Sequence, residues 1–248
     1  MSSIGTGYDL SVTTYSPDGK VFQVEYAQKA VDNSGTSVGL RCKDGVVLGV
    51  EKFVTSKLFT PGTGRRVYAV DRHSGAAASG LTPDARVVVQ RARSECQQYK
   101  NFYGGLIPAN VLADRLASYL HLFTLYWYLR PMGAGVLLAT YDKDGPSLYL
   151  LETSGEAHRY FGTAIGKGRQ GAKTEIEKLK LDQMTCREGV MAVAKIVYQV
   201  HDEKDKEFEL ELGWVCEESG KQFKRVPDDL HAEAVAAAKA ALDEDMED

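Results

Sequence analysis

Hydrophobic positions along this chain change period several times, and each change marks an element. In residues 21–31, Phe22, Tyr26, Ala30 and Val31 share one helical face while Gln23, Lys29 and Asp32 fall elsewhere, which predicts a short helix. Ser16-Pro17-Asp18-Gly19 precedes it as a turn, with proline presetting φ and glycine closing the loop. Residues 36–42 and 46–52 read as strands joined by Lys43-Asp44-Gly45, since Asp-Gly is a strong hairpin signal. Residues 67–70 and 75–79 read as two more. Thr82-Pro83-Asp84 then supplies an N-cap, a first-turn proline and a first-turn acid, and Ala85, Val88, Val89, Ala92, Cys96 and Tyr99 follow at helical spacing. Pro108 opens another helix, with Leu112, Leu116, Tyr119, Leu120 and Phe123 on its apolar face, and Arg130-Pro131 is expected to stop it.

The second half again carries strand and helix signals. Strands are predicted over 135–141, 147–152 and 157–164, with turns at Asp144-Gly145 and Ser154-Gly155. Helices follow over 169–180 and 187–200, then a charged strand over 207–216, a Ser219-Gly220 turn, a return strand and an Ala-rich helix from Asp228. Strands in hairpins and helices in pairs exclude the βαβα alternation of a parallel sheet. The expected class is α+β, with two mostly antiparallel sheets face to face and helix pairs outside them. No repeat or linker divides the chain, so residues 1–242 are expected to form one domain, and the acidic tail 243–248 is not expected to continue the last helix.

Charge sharpens this picture. The chain has 34 acidic and 30 basic residues, a net −4, but Asp243, Glu244, Asp245, Glu247 and Asp248 supply five of those acids within the last six positions. The body is therefore near neutral and lacks the basic field of a nucleic-acid binder. The start has no basic and apolar leader pattern, and no apolar run approaches the ~18 residues of a membrane span. Neither nucleic acid nor membrane is expected as a partner. Cys42, Cys96, Cys186 and Cys216 lie far apart, and read as small core residues in a reducing compartment.

Several motifs invite a chemical reading. Gly166-Lys167-Gly168-Arg169-Gln170-Gly171 is a literal G-x-G-x-x-G, but a dinucleotide site needs it on the first turn of a parallel βαβ unit. Here a second helix follows, so the glycines read as close packing of a helix start on a sheet. His201-Asp202-Glu203 lacks a second histidine at helical spacing and reads as a solvated turn rather than a metal site. Arg86, Arg91 and Arg93 read as a solvated or subunit-facing surface, because no aromatic interleaving accompanies them. No cofactor and no metal are expected.

The N-terminal third carries a far more specific signal. Tyr8-Asp9, followed by Tyr15-Ser16-Pro17-Asp18-Gly19-Lys20-Val21-Phe22-Gln23-Val24-Glu25-Tyr26-Ala27, strongly resembles the signature of α-type subunits of the 20S proteasome. The likeness continues through Val70-Asp71-Arg72-His73, Ser79-Gly80-Leu81, Asp84-Ala85-Arg86 and Ala164-Ile165-Gly166, across almost the whole chain. It implies the N-terminal-nucleophile hydrolase-like αββα four-layer sandwich with an extra N-terminal helix. Active relatives in that fold attack through an exposed N-terminal threonine, with an amine or lysine taking the proton. The resemblance places Gly35 at the nucleophile position, Glu51 near the acidic partner and Arg66 at the lysine, so no catalytic residue is expected: glycine carries no nucleophile, and arginine is not deprotonated at neutral pH. The alternative is an active amidase made by self-cleavage at Gly35-Thr36, but Thr36 sits one residue late and a strand would turn it to the other face. A free-standing binding module is a third class.

By the same resemblance, residues 1–34 form a gating segment and helix, with Tyr8, Asp9, Pro17 and Tyr26 as the cluster that stabilises an open gate. Leu10 stands where most α types carry arginine. Arg66, Gly80 and Leu81 would line the pocket that receives C-terminal tails of activators. Tyr126, Trp127, Tyr128 and Arg130 resemble a loop that narrows the pore, with subunit-interface packing as the other reading of its aromatics. Implied partners are other α subunits in a heteroheptameric ring, β subunits, regulatory particles and unfolded protein substrates in transit. The implied location is cytoplasmic and nuclear.

Overall fold

A computed structural model describes residues 7–60, 62–202 and 204–247. Residues 1–6 of the expected gating segment lie outside that range. Chain order begins with α1 (Phe22–Asp32), β1 (Ser37–Cys42), β2 (Gly45–Phe53), β3 (Val67–Asp71) and β4 (Ser74–Gly80). Helices α2 (Thr82–Tyr103) and α3 (Ala109–Leu122) separate these from β5 (Ala134–Asp142), β6 (Gly145–Leu151), β7 (Ala157–Tyr160) and β8 (Gly162–Ile165). Then come α4 (Arg169–Glu177), α5 (Cys186–Val200), β9 (Phe208–Cys216), β10 (Lys224–Arg225) and α6 (Asp228–Glu247).

The strands form two five-stranded sheets, ordered β10-β9-β2-β1-β8 and β3-β4-β5-β6-β7, and neighbouring strands in both are antiparallel. Val46, Leu48, Val50, Ala77, Leu137, Ala139 and Leu148 fill the space between the sheets. Helices α4, α5 and α6 cover the first sheet through Ile176, Val190, Val193, Val197 and Ala234, while α2 and α3 cover the second through Val88, Leu112, Leu116 and Leu120. The result is the four-layer αββα sandwich that the resemblance implied. Each fully buried leucine in these layers contributes roughly 1.5–3 kcal/mol of transfer free energy. All four cysteines are buried and unpaired, and burial pushes the Cys96 thiol up to about 12.

Four sequence expectations need correction. The run 157–164 is two strands: β7 pairs with β6, whereas β8 crosses to pair with β1 in the other sheet. Gly162 permits the crossing, since a Cβ there would come 2.7 Å from Ile176. Helix α3 ends at Leu122, well before Arg130-Pro131, because the apolar stripe ends at Phe123 and the Thr124 hydroxyl donates to the His121 carbonyl at 2.7 Å. Leu81, not Thr82, occupies the cap position of α2. Finally, α6 runs on through the acidic residues to Glu247. Propagation along an alanine-rich segment adds one hydrogen bond per residue, which outweighs the unfavourable placement of acids at a helix C-terminus.

Helix α1 lies across one end of the sandwich. A Cβ at Gly135 would meet Val31 at 3.1 Å, and one at Gly133 would meet Ala30 at 3.3 Å, so the small residues entering β5 set how closely the helix approaches. Arg169 of α4 pairs with Asp32 at 3.0 Å and holds the helix C-terminus in place.

Candidate functional site: a cleft, a gate helix and an aromatic loop

Beneath α1, a cleft of about 250 Å³ is lined by Gly35, Glu51, Arg66, Phe59 and Thr82, among others. The three positions matched to a catalytic site thus converge. Their chemistry does not. A Cβ at Gly35 would collide with the Glu51 carbonyl oxygen, so the backbone leaves no room for a nucleophile there. The Gly35 carbonyl instead accepts from the Ser79 hydroxyl at 2.8 Å. Thr36 is turned away from the cleft: its backbone N–H donates to Glu51 Oε2 at 2.8 Å, and its hydroxyl accepts from the Gly168 N–H at 3.0 Å.

The second contact explains the glycine-rich turn. Gly166 has φ +97°, and a Cβ at Gly168 would meet Val200 at 2.7 Å and the Thr36 hydroxyl at 2.8 Å. These glycines bring the start of α4 against β1 and α5, the packing role read from the sequence. His201 departs from its expected solvated turn. It ends α5 half-buried, with Nδ1 2.5 Å from Glu51 Oε1, so both oxygens of the buried Glu51 carboxylate are engaged. No local pattern announces this pair, whose members lie 150 positions apart.

Arg66 sits at the mouth of the cleft. Its guanidinium donates through Nη1 to the Gly80 carbonyl at 2.7 Å, and its backbone N–H donates to Glu211 at 2.8 Å. Burial pushes the guanidinium down from the usual arginine range, with Glu211 acting in the other direction. Gly80 has φ +105°, and its N–H donates to the Ser34 hydroxyl at 2.7 Å. Leu81 is exposed beside it and bonds the Gly133 carbonyl through its N–H at 2.8 Å. Arg66, Gly80 and Leu81 therefore form one continuous rim.

Among the residues expected to form a gate cluster, the Tyr26 hydroxyl donates to Asp9 Oδ2 at 3.1 Å, and the Gln23 side-chain amide donates to the Asp9 carbonyl. Partial burial, and then the neighbouring carboxylate, push the Tyr26 hydroxyl upward. Tyr8 and Pro17 are exposed and, among the described residues, share no hydrogen bond with that pair. The turn before α1 closes as expected, the Gly19 N–H donating to the Ser16 carbonyl at 2.9 Å. In the aromatic loop, Trp127 and Tyr128 meet edge to face at 5.7 Å, and Tyr126, Trp127 and Tyr128 all remain exposed. Arg130 is not free: it forks onto Asp84, an acid within the cleft-side turn of α2.

Comparison with known proteins agrees with this geometry. A family model described as "Proteasome subunit" matches residues 31–215, and a second, for the N-terminal signature of A-type proteasome subunits, matches residues 8–30. The chain belongs to the α-type proteasome subunit family. It is 64% identical over 245 residues to "Proteasome subunit alpha type-3" of Spinacia oleracea, with 98% of each chain covered. The protein of that name in Acanthamoeba castellanii is 59% identical over 244 residues, covering 98% of this chain and 97% of the relative. "Probable proteasome subunit alpha type-7" of Saccharomyces cerevisiae is 47% identical over 250 residues, covering 99% and 87%.

As an α-type proteasome subunit, the chain is a non-catalytic component that assembles with other subunits of the 20S core. The blocked Gly35 position gives the physical reason for its inactivity. Among the described residues, no helix is long and apolar enough to cross a membrane, and no group of three or more His, Cys, Asp or Glu side chains is placed to hold a metal ion.

Proposed function

We propose that this subunit forms part of a heteroheptameric α ring, restricts the entry of unfolded protein substrates, and docks regulatory particles. It would serve both ubiquitin-dependent and ubiquitin-independent degradation, in cytoplasm and nucleus. The observation that carries this reading is the bond from Tyr26 to Asp9, which fastens the chain before α1 to the helix itself. Residues ahead of Asp9 then leave from a fixed point. Small residues and glycines give such a segment the freedom to adopt alternative conformations.

The second support is the path that joins gate to rim. Ser34, just beyond α1, donates its hydroxyl to the Val31 carbonyl at 2.7 Å and accepts from Gly80 N–H, while Gly80 in turn accepts from Arg66. An activator carboxylate arriving at Arg66 would compete with the Gly80 carbonyl for the guanidinium. Release of Gly80 is felt at Ser34 and the end of α1, which supplies a two-state element for the ligand to bias. Arginine retains other N–H donors for a carboxylate, yet its engagement with Gly80 makes this a weaker pocket than one with a free lysine.

The test is peptide hydrolysis by core particles carrying altered versions of this chain. Deleting residues 1–12 raises unstimulated hydrolysis, because the segment no longer obstructs the pore. Tyr26→Phe lowers activator-stimulated hydrolysis severalfold, because Asp9 loses its partner. Unchanged rates in both particles would remove this chain from the gate.

A further inference from the structure

At the opposite end of the sandwich from Gly35 lies a larger cleft, of about 780 Å³. Strand β4 runs between the two sites, from Gly80 on the Arg66 rim to Ser74, next to His73 in this cleft. Three connections, a strand end and one helix meet here: Arg72 and His73 come from the β3–β4 turn, Tyr141 from the end of β5, Lys143 from the β5–β6 turn, Lys221 from the connection after β9, and Tyr99 from α2. The volume lies within the roughly 300–1,000 Å³ of small-molecule sites.

Backbone bonds join the connections, and the one carboxylate that lines the cleft is engaged. Phe223 N–H donates to the Arg72 carbonyl at 2.7 Å, and Tyr141 N–H to the His73 carbonyl at 2.8 Å, which ties the three connections together. Asp142 accepts the Ala109 and Asp144 N–H groups, each at 2.9 Å, one on each oxygen. Arg72, Lys143 and Lys221 are exposed and, among the described residues, form no ion pair. The lining therefore carries three unpaired cations against one carboxylate, Asp142, while Glu217 accepts the Tyr141 hydroxyl at 3.4 Å.

Two local features point toward an occupant. His73 is buried, its Nε2 lies 3.0 Å from the Ile107 carbonyl, and its Nδ1 makes no hydrogen bond, with the Asp71 carboxylate standing 3.6 Å from it. Lys221 holds a left-handed backbone, φ 57°, which non-glycine residues adopt at a cost, and its ammonium stands 4.9 Å from the centre of the Tyr141 ring. Strain of this kind collects at ligand clamps. Tyr99, Tyr141 and Leu106 supply flat and apolar walls between the cations.

We propose that this cleft binds a small planar ligand bearing a phosphate, of the nucleoside monophosphate class. The ring packs against Tyr141 and Leu106, and the phosphate sits among Arg72, Lys143 and Lys221. The site is separate from the gate and from the Arg66 rim.

The experiment is calorimetric titration of the full-length chain with AMP, inorganic phosphate and benzoate. AMP binds more tightly than phosphate or benzoate. Lys143→Ala combined with Lys221→Ala weakens AMP about tenfold, the change expected from losing charge-assisted contacts. Both positions are exposed, so folding is not at issue. Tyr141→Leu weakens AMP and leaves phosphate unchanged. Absence of AMP binding at millimolar concentration, or equal binding by the lysine double variant, overturns the site. Phosphate as tight as AMP overturns the role of the ring, and benzoate as tight as AMP overturns the phosphate assignment.

Discussion

Arg130 grips both carboxylate oxygens of Asp84, with Nη1 2.6 Å from Oδ2 and Nη2 2.9 Å from Oδ1. Asp84 also accepts the Gly133 N–H at 2.9 Å, and the Gly133 carbonyl accepts from Leu81. One carboxylate thereby connects the loop that carries Tyr126, Trp127 and Tyr128 to the first turn of α2 and to the rim at Leu81. The two elements matched to pore and activator pocket are mechanically joined.

Asp84→Asn is expected to destabilise the chain by about 1–3 kcal/mol, since Arg130 and the Gly133 N–H lose their charged acceptor. The Arg130 fork, reinforced by Gly133 N–H and opposed by burial, holds the Asp84 carboxyl below its ordinary 3.8. A depressed carboxylate contributes its full stability above the unfolded value and loses it as pH falls through the lower folded value. Chemical denaturation from pH 7 downward should show a constant gap between wild type and variant until about pH 4, closing below that. A gap that widens in acid would contradict the assignment.

Gly35→Thr is expected to yield no enzyme. The new Cβ meets the Glu51 carbonyl, so the substitution overpacks the site and costs about 1–3 kcal/mol. Intact mass should show no self-cleavage, and a threonine-directed covalent probe should leave the chain unlabelled. Labelling at position 35 would show that the cleft keeps a working general base.

Glu51 and His201 are expected to behave as a unit. Glu51→Ala leaves the buried Thr36 N–H without its acceptor, at a cost of about 1–3 kcal/mol, whereas His201→Ala leaves the bond to Thr36 intact. A double-mutant cycle by denaturation should give a coupling of at least about 0.5 kcal/mol. Additive effects would mean that the short contact carries no energy.

What the sequence makes legible follows from range. Helix α1 and the β1–β2 hairpin are readable because periodicity and turn chemistry act within a few residues. The break at Phe161 is not, because residues 157–165 carry no proline or Asp-Gly turn signal there, and the division depends on which sheet each half meets. The end of α3 is hard to place because Arg130-Pro131 is the louder stop signal, yet loss of the apolar stripe acts first. In the site, Gly35, Glu51 and Arg66 converge as the resemblance implied, and Asp9 meets Tyr26. The partners that hold them, His201, Ser34 and Asp84, are hidden by sequence separation. His201 reads as surface beside Asp202, and only the path of α5 brings it under Glu51.

Arg66→Lys provides a test of the rim. Binding of an activator C-terminal peptide to core particles should tighten severalfold, because the guanidinium held by the Gly80 carbonyl is replaced by an ammonium free to meet the terminal carboxylate. Unchanged affinity would show that the Gly80 contact does not weaken docking.

The central claim is that this chain is an uncleaved, non-catalytic member of an α ring. Native mass spectrometry of the endogenous complex, followed by release of its subunits, tests it most directly. The account predicts a heteroheptameric α ring on the core particle and a released chain whose N-terminal segment remains ahead of Gly35. A released chain that begins at Thr36, or a protein found only as a free monomer, would contradict it.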